Sequence, residues 1–183
     1  LTTGEGYNVV WAERLLGPVV VEALVRAFDG TVERHETLRS LIVPIDGIPK
    51  TQLCDERPRL AIVPVDAPKG AARDSLAPSL AGAVASRPFK LQEEAPLRAT
   101  LYRFDDDDFL LVYVVHHIAC DEWSIRLFNS EILAHYAANV AGVRPEAPEL
   151  PVQYADFAAW QNSAPEMAQW DKSLGYWMSC LEG

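Results

Sequence analysis

Residues 97–117 read LRATLYRFDDDDFLLVYVVHH, and the fold class turns on them. Leu97–Phe104 and Phe109–His117 are two strand-length runs separated by four consecutive aspartates. Stretches rich in Leu, Val, Tyr and Phe on either side of a polar break predict a pair of strands. The tetrad Asp105–Asp108 reads as a solvated hairpin turn. A calcium loop would space its ligands over about twelve residues, with a Gly and a distal Glu. The second run is apolar at every position from Phe109 to Val115. Such a strand is covered on both faces and lies inside the sheet.

Outward from this hairpin, the chain alternates short strands and helices. Asn8–Leu16 predicts a strand closed by Gly17, and Pro18 suits the first turn of a helix. In that helix Val21, Leu24, Val25, Phe28 and Val32 share one face, while Glu22, Arg26, Asp29 and Glu33 take the other. Gly30 inside it costs roughly 1 kcal/mol against Ala, so the helix must lean on tertiary packing. Leu41–Ile45, Thr51–Leu53 and Leu60–Val65 read as strands between Asp, Gly and Pro turns. Residues 71–86 read as a helix ending before Pro88. Beyond the hairpin a helix is expected from Trp123 to Val140, with Ile125, Phe128, Ile132 and Tyr136 buried. A connector, Pro145–Pro151, leads to two more helices. Met167, Trp170, Leu174, Trp177 and Leu181 recur at steps of three or four, which predicts core packing.

Composition narrows the function. The 183 residues suffice for one globular domain, and 49% are hydrophobic, in short runs that suit a mixed α and β protein. The 16 basic and 26 acidic residues give a net charge of −10. That balance argues against nucleic acid or an anionic membrane as partner. The longest apolar run is strand-sized, far short of a bilayer span. The first residues carry no basic region followed by an apolar one, so a secretory signal is not expected. Cys54, Cys120 and Cys180 are scattered and odd in number, which favours a reducing cytoplasm over a disulfide framework or a zinc site.

The residues suited to chemistry follow the second strand: His116-His117-Ile118-Ala119-Cys120-Asp121. Strand ends aim side chains from a rigid support. Neighbours on a strand face opposite ways, so one histidine should meet packed structure and the other an opening. The same geometry argues against one metal held by both. An imidazole titrates near neutrality and can accept a proton from a nucleophile or orient it. Asp121 can cap the next helix by accepting from the Ser124 N–H, or pair with a cation. Taken alone, the pattern also fits a structural histidine followed by a helix cap.

Several stretches together carry a family resemblance. His116-His117-Ile118-Ala119-Cys120-Asp121-Glu122-Trp123-Ser124 resembles the His-His-x-x-x-Asp-Gly signature of condensation domains from nonribosomal peptide synthetases. Arg34-His35-Glu36-Thr37-Leu38-Arg39 resembles that family's Arg-His-Glu-x-Leu-Arg motif. Arg87-Pro88-Phe89 and Pro96-Leu97-Arg98-Ala99 resemble the stretch before the histidines. Tyr154–Gln161, Tyr176-Trp177 and Leu181-Glu182-Gly183 resemble the helices that close the first lobe.

The resemblance implies an α+β fold of the chloramphenicol acetyltransferase type, a mixed sheet flanked by helices, with residues 1–183 forming the N-terminal lobe. It implies a second, C-terminal lobe across a tunnel, and carrier proteins docking at its mouths beside adjacent synthetase domains. The implied reaction is attack by an acceptor amine on a donor thioester, both riding on phosphopantetheine arms, with no cofactor bound directly. His117 is then the catalytic residue, acting as base or orienting the amine. His116 supports the site, and Asp121 is salt-bridged to Arg34 or Arg39. Glu122 stands where the family has Gly. Its carboxylate would crowd the thioester, repel an oxyanion or attract the acceptor amine, and Trp123 and Ser124 would lie beside the substrate. The family's opening Ser-x-Ala-Gln is missing ahead of Tyr7-Asn8. One lobe alone is expected to be a poor catalyst. A non-catalytic recruitment domain of this fold, an acyl-CoA-dependent acyltransferase and a histidine-bearing binding module are the competing readings.

Overall fold

The computed structural model describes residues 5–182. It divides into two units, one ending at Pro148 and one starting at Glu149.

The first unit is built on a four-stranded mixed sheet, whose strands are β1 (Asn8–Leu16), β4 (Leu60–Pro64), β5 (Leu97–Arg103) and β6 (Asp108–His116). They run in the order β1-β6-β5-β4. β6 pairs antiparallel with both β1 and β5, and β4 joins β5 in parallel. The continuous apolar run therefore occupies an interior position, as its lack of alternation requires. Phe109, Tyr113 and Val115 face one core with Leu97, Ala99 and Leu101 of β5. Against that face pack α1 (Val21–Arg34), through Leu24, Phe28 and Val32, and α3 (Glu122–Val140), through Ile125, Phe128 and Ile132. On the other face Leu110 and Val112 join Tyr102 and Phe104 under Leu76, Leu80 and Val84 of α2 (Ala71–Ala85). A separate hairpin, β2 (Ser40–Ile45) with β3 (Ile48–Leu53), completes the unit.

Two helix expectations shift. Pro18 lies ahead of α1, whose N-cap is Val20. Val20 offers no capping side chain; its N–H donates to the Tyr136 hydroxyl at 3.1 Å, and its carbonyl accepts from Ala23 and Leu24. That hydroxyl contact leaves Tyr136 half-buried, while His135 takes the buried place beside Ile132. Gly30 finds the packing it needs here, since a Cβ at that position would come within 3.3 Å of His135 Nδ1.

The aspartate turn is also more than solvated. Asp106 and Asp107 are exposed, but Asp108 is buried at the first position of β6. It accepts from Arg14 of β1 and, at 2.6 Å, from Arg73 of α2. Arg73 also holds Asp105 at 2.6 Å, and Lys69 bridges Asp105 and Asp107. Both guanidiniums lie over the Phe104 ring, at 4.6 and 5.4 Å from its centroid. Two acids thus tie the turn to a neighbouring strand and helix, because the ends of a two-sided core are where buried charge can be paired.

In the second unit, α4 (Tyr154–Gln161) begins in a capping box between Gln153 and Asp156, and α5 (Ala164–Leu181) follows. The stripe of Met167, Trp170, Leu174, Trp177 and Leu181 keeps its helical spacing, but each residue is more than half exposed. Within that unit the expected core packing is not found, since two helices by themselves offer no second layer to bury such a stripe.

The Asp108 pairing makes stability pH-dependent. Arg14 first, and then Arg73, hold the Asp108 carboxyl below the usual carboxylate range. A depressed folded pKa stabilises above the unfolded value of about 3.9 and loses that contribution as pH falls through the folded value. Asp108→Asn should therefore lower the melting temperature at pH 7 by several degrees. The gap to the parent should close as pH drops below about 4. Differential scanning calorimetry across pH 2–7 reads both.

Candidate functional site

β6 ends at His116, and the chain turns through 117–121 into α3. His116 shares the face of Leu110, Val112 and Val114 by the two-residue period of the strand. It is buried, stacked on Tyr7 and edge-on to Phe89. His117, the next residue, is exposed. The two histidines therefore part as strand geometry demands, one into packed structure and one to an opening.

The turn is held from several directions. The His116 amide donates to Pro96 at 2.9 Å, and the His117 amide to the Tyr7 carbonyl at 2.8 Å. Ile118 N donates to His116 Nδ1 at 3.1 Å, and Ala119 N to the His116 carbonyl at 2.9 Å. His117 thus projects from a turn whose amides at 116–119 are all engaged, an arrangement that fixes a side chain without burying it. Burial, and His117 next to it, lower the pKa of His116 and keep that ring neutral.

Asp121 is the N-cap of α3, as its position before the helix predicts. Its Oδ1 accepts from the Ser124 N–H at 2.7 Å and the Ser124 hydroxyl at 2.6 Å. These bonds hold its carboxyl below the usual range. Asp121 is exposed and held by Ser124, and the ion pairs seen at Arg34 and Arg39 go to other carboxylates. Arg34 meets Glu131 at 3.3 Å, and His35 Nε2 meets the same carboxylate at 2.6 Å. Glu131 lies ten residues past Asp121, about 15 Å along the helix axis. Arg39 turns back to the Glu33 carbonyl at 3.2 Å and to the Glu33 and Glu36 carboxylates. The arginine motif therefore braces α3 and the end of α1.

Glu122, Trp123 and Ser124 form the first turn of α3. The Glu122 carboxylate bonds Arg126 at 2.6 Å along the exposed helix face, one turn on. Trp123 is 77% exposed, and Ile118 and Tyr7 are also more than half exposed. Sequence reasoning did not foresee Tyr7, Phe89 or Glu131. The first two are single aromatics in irregular segments. Glu131 left a faint sign, a charge adjoining Ile132 at the edge of the apolar stripe.

Rival nucleophiles are weaker. Cys120 is buried, and burial, then Asp121, pushes its thiol up to about 11. Cys54 lines a cavity of about 390 Å³ with Leu41, Pro58, Glu94, Ala95 and Leu97, and burial raises its pKa as well. Neither offers a thiolate at neutral pH. Among the described residues, no three His, Cys, Asp or Glu side chains converge to hold a metal.

Comparison with known proteins places these features in context. The family model described as Condensation domain matches residues 1–183. The chain is 38% identical over 187 residues to the isonitrile lipopeptide synthase of Mycobacterium tuberculosis (strain ATCC 25618 / H37Rv), covering 97% of this chain and 7% of that protein. It thus spans less than a tenth of that curated relative's length. A solved complex of the X-domain and OxyB from teicoplanin biosynthesis contains a chain that matches with a TM-score of 0.75 at 31% identity, over 87% of this chain and 33% of that one. The starter condensation domain of rhizomide synthetase RzmA superposes with a TM-score of 0.81 over 98% of this chain and 43% of that one. Its 17% identity makes this a likeness of fold, and the fold is that of the chloramphenicol acetyltransferase type.

Because Asp121 acts as a solvent-facing cap, Asp121→Ala should lower the melting temperature only slightly, on the order of 2–4 °C. Asp121→Asn, itself a good cap, should recover most of that loss. A calorimetric drop several times larger would show that Asp121 belongs to a buried ion pair after all.

Proposed function

Because the chain belongs to the condensation-domain family, we propose that it is the N-terminal lobe of a domain that joins a donor and an acceptor through an amide bond. The observation that carries this reading is the placement of His117, exposed on a pinned turn at the open end of the buried central strand. The acceptor amine attacks the donor's thioester carbonyl. The C–N bond forms, the C–S bond breaks, and the amine gives up a proton as the thiol leaves. His117 serves as the group that accepts or directs that proton.

Both substrates ride on phosphopantetheine arms of carrier proteins, with no cofactor bound directly. Tyr7, Ile118 and Trp123, exposed around His117, are apolar surface suited to a tunnel wall that a second lobe completes. Adjacent synthetase domains supply and remove the carriers. Glu122 pairs with Arg126 along the exposed helix face, which supports a reading in which its carboxylate takes no direct part in the reaction. The free cysteines Cys54, Cys120 and Cys180 suit a reducing cytoplasm, and no helix among the described residues is long and apolar enough to cross a membrane.

A second reading is a recruitment domain without transfer chemistry. It draws on the 31% identity to the teicoplanin X-domain, which is solved in complex with OxyB. The two readings divide on His117, which recruitment does not need.

In the full-length protein, with loaded carriers and product read by mass spectrometry, His117→Ala should lower condensation about a hundredfold to ten-thousandfold while leaving the melting temperature unchanged. Glu122→Gly should keep most of the turnover. The 183-residue chain alone should form little product, since it lacks half of the substrate positioning. Full activity in His117→Ala would remove the catalytic assignment. Efficient condensation by the chain alone would remove the need for a second lobe.

A further inference from the structure

Beyond α3 the chain enters the connector with its three prolines, Pro145, Pro148 and Pro151. Proline lacks an N–H and favours extended backbone, so such a segment makes few bonds of its own. Its course is set at the end of α3. Gly142 takes a φ of 69° and donates to the Asn139 carbonyl at 3.3 Å, and the Val143 N–H donates to the Ala138 carbonyl at 3.0 Å. Among the described residues 144–148, one is held by a hydrogen bond: the Pro148 carbonyl accepts from Arg34 Nη1.

That donor is engaged elsewhere too. Arg34 Nε lies 3.3 Å from one oxygen of Glu131, and His35 Nε2 lies 2.6 Å from the other. Glu131 is about 10 Å back from Ala138 along the helix axis. The stretch from Val143 to Pro148 reaches at most about 17 Å. A chain that leaves the helix end beside Ala138 and arrives at a guanidinium beside Glu131 therefore doubles back along α3 and uses much of its reach. The α1–α3 pair has other fastenings. Val20 N donates to the Tyr136 hydroxyl at 3.1 Å, Asn139 Nδ2 donates to the Ala23 carbonyl at 3.1 Å, and His35 meets Glu131. None of them touches the connector, so loss of the bond to Pro148 leaves the helix pair in place.

We propose that Arg34 is a clasp that fastens the connector as a strap along α3. One guanidinium forks between the Glu131 carboxylate and the Pro148 carbonyl, a double grip that needs its planar set of donors. The strap is closed in this structure. In its open state the connector is released from α3, while the 117–121 turn keeps its bonds. The device operates whatever chemistry His117 performs.

The connector carries two exposed reporters, Glu146 and Glu149. A glutamate-specific protease, applied to the folded full-length protein, creates new N-termini at Ala147 and Leu150, and mass spectrometry times their appearance. Arg34→Lys leaves a cation beside Glu131 but no fork. It should melt within about 2 °C of the parent. It should nevertheless be cut at these two sites about tenfold to a hundredfold faster, the change that one hydrogen bond from a charged donor makes in an opening equilibrium. Arg34→Ala should be cut at least as fast. Glu131→Gln keeps an acceptor for Arg34 and removes the ion pair, so it should melt lower yet be cut near the parent rate. A parent rate in either Arg34 variant, or rates that simply follow melting temperature across the three, would overturn the proposal. Hydrogen exchange at the Ile118 and Ala119 amides in Arg34→Lys should match the parent. Faster exchange there would show that strap and turn open together, and would overturn the independent opening.

Discussion

Burial of β6 on both faces is the constraint on which the rest of this structure depends. Val112, Val114 and Val115 are sealed between α1 and α3 on one side and α2 on the other. No ionisable group can sit in the middle of such a strand without a large desolvation cost. Charged residues are therefore confined to its two ends, while the Tyr113 phenol between them is kept neutral by burial and donates to Asn129, and the two ends solve the problem differently. At the Asp108 end, charge is buried and paired with Arg14 and Arg73. At the His116–His117 end, one imidazole is buried in neutral form and the next is released to solvent. The first solution locks the sheet to α2 and β1. The second leaves a titratable side chain free on a backbone that cannot drift.

This division explains why much of the fold was legible in residues 97–117. Lack of alternation gave β6 its interior position, and strand period gave the two histidines their opposite environments. The N-cap role of Asp121 was legible too, because capping is local and Ser124 is only three residues away. What escaped the sequence was long-range. Arg73 and Asp108 are 35 residues apart in the chain, so the aspartate run looked like a solvated turn. Glu131 is 96 residues from His35, and nothing local marks a carboxylate as the receiver of a motif so far upstream. Nor did anything local mark Glu33 and Glu36 as the carboxylates that Arg39 meets. Periodicity located the stripe on α5 but could not say whether a second layer covers it.

The arginine motif has a physical role in holding α3. Arg34 and His35 grip α3 near its middle through one carboxylate. Gly30 permits the close approach of α1 and α3 next to that grip. The helix whose first turn follows His117 is thus held at both places, by its cap at the start and by this ion-paired cluster further on. Position at the 117–121 turn is therefore set by the layer of helices as well as by the strand end.

The central claim is that the pinned turn presents His117 to the nucleophile. The most direct measurement is a crystal structure of the complete two-lobed domain carrying an unreactive acceptor analogue on a phosphopantetheine arm. A His117 ring nitrogen is expected within about 2.6–3.2 Å of the acceptor amine, with the 116–119 hydrogen bonds intact. An ordered amine beyond reach of His117, with that ring turned to solvent, would contradict it.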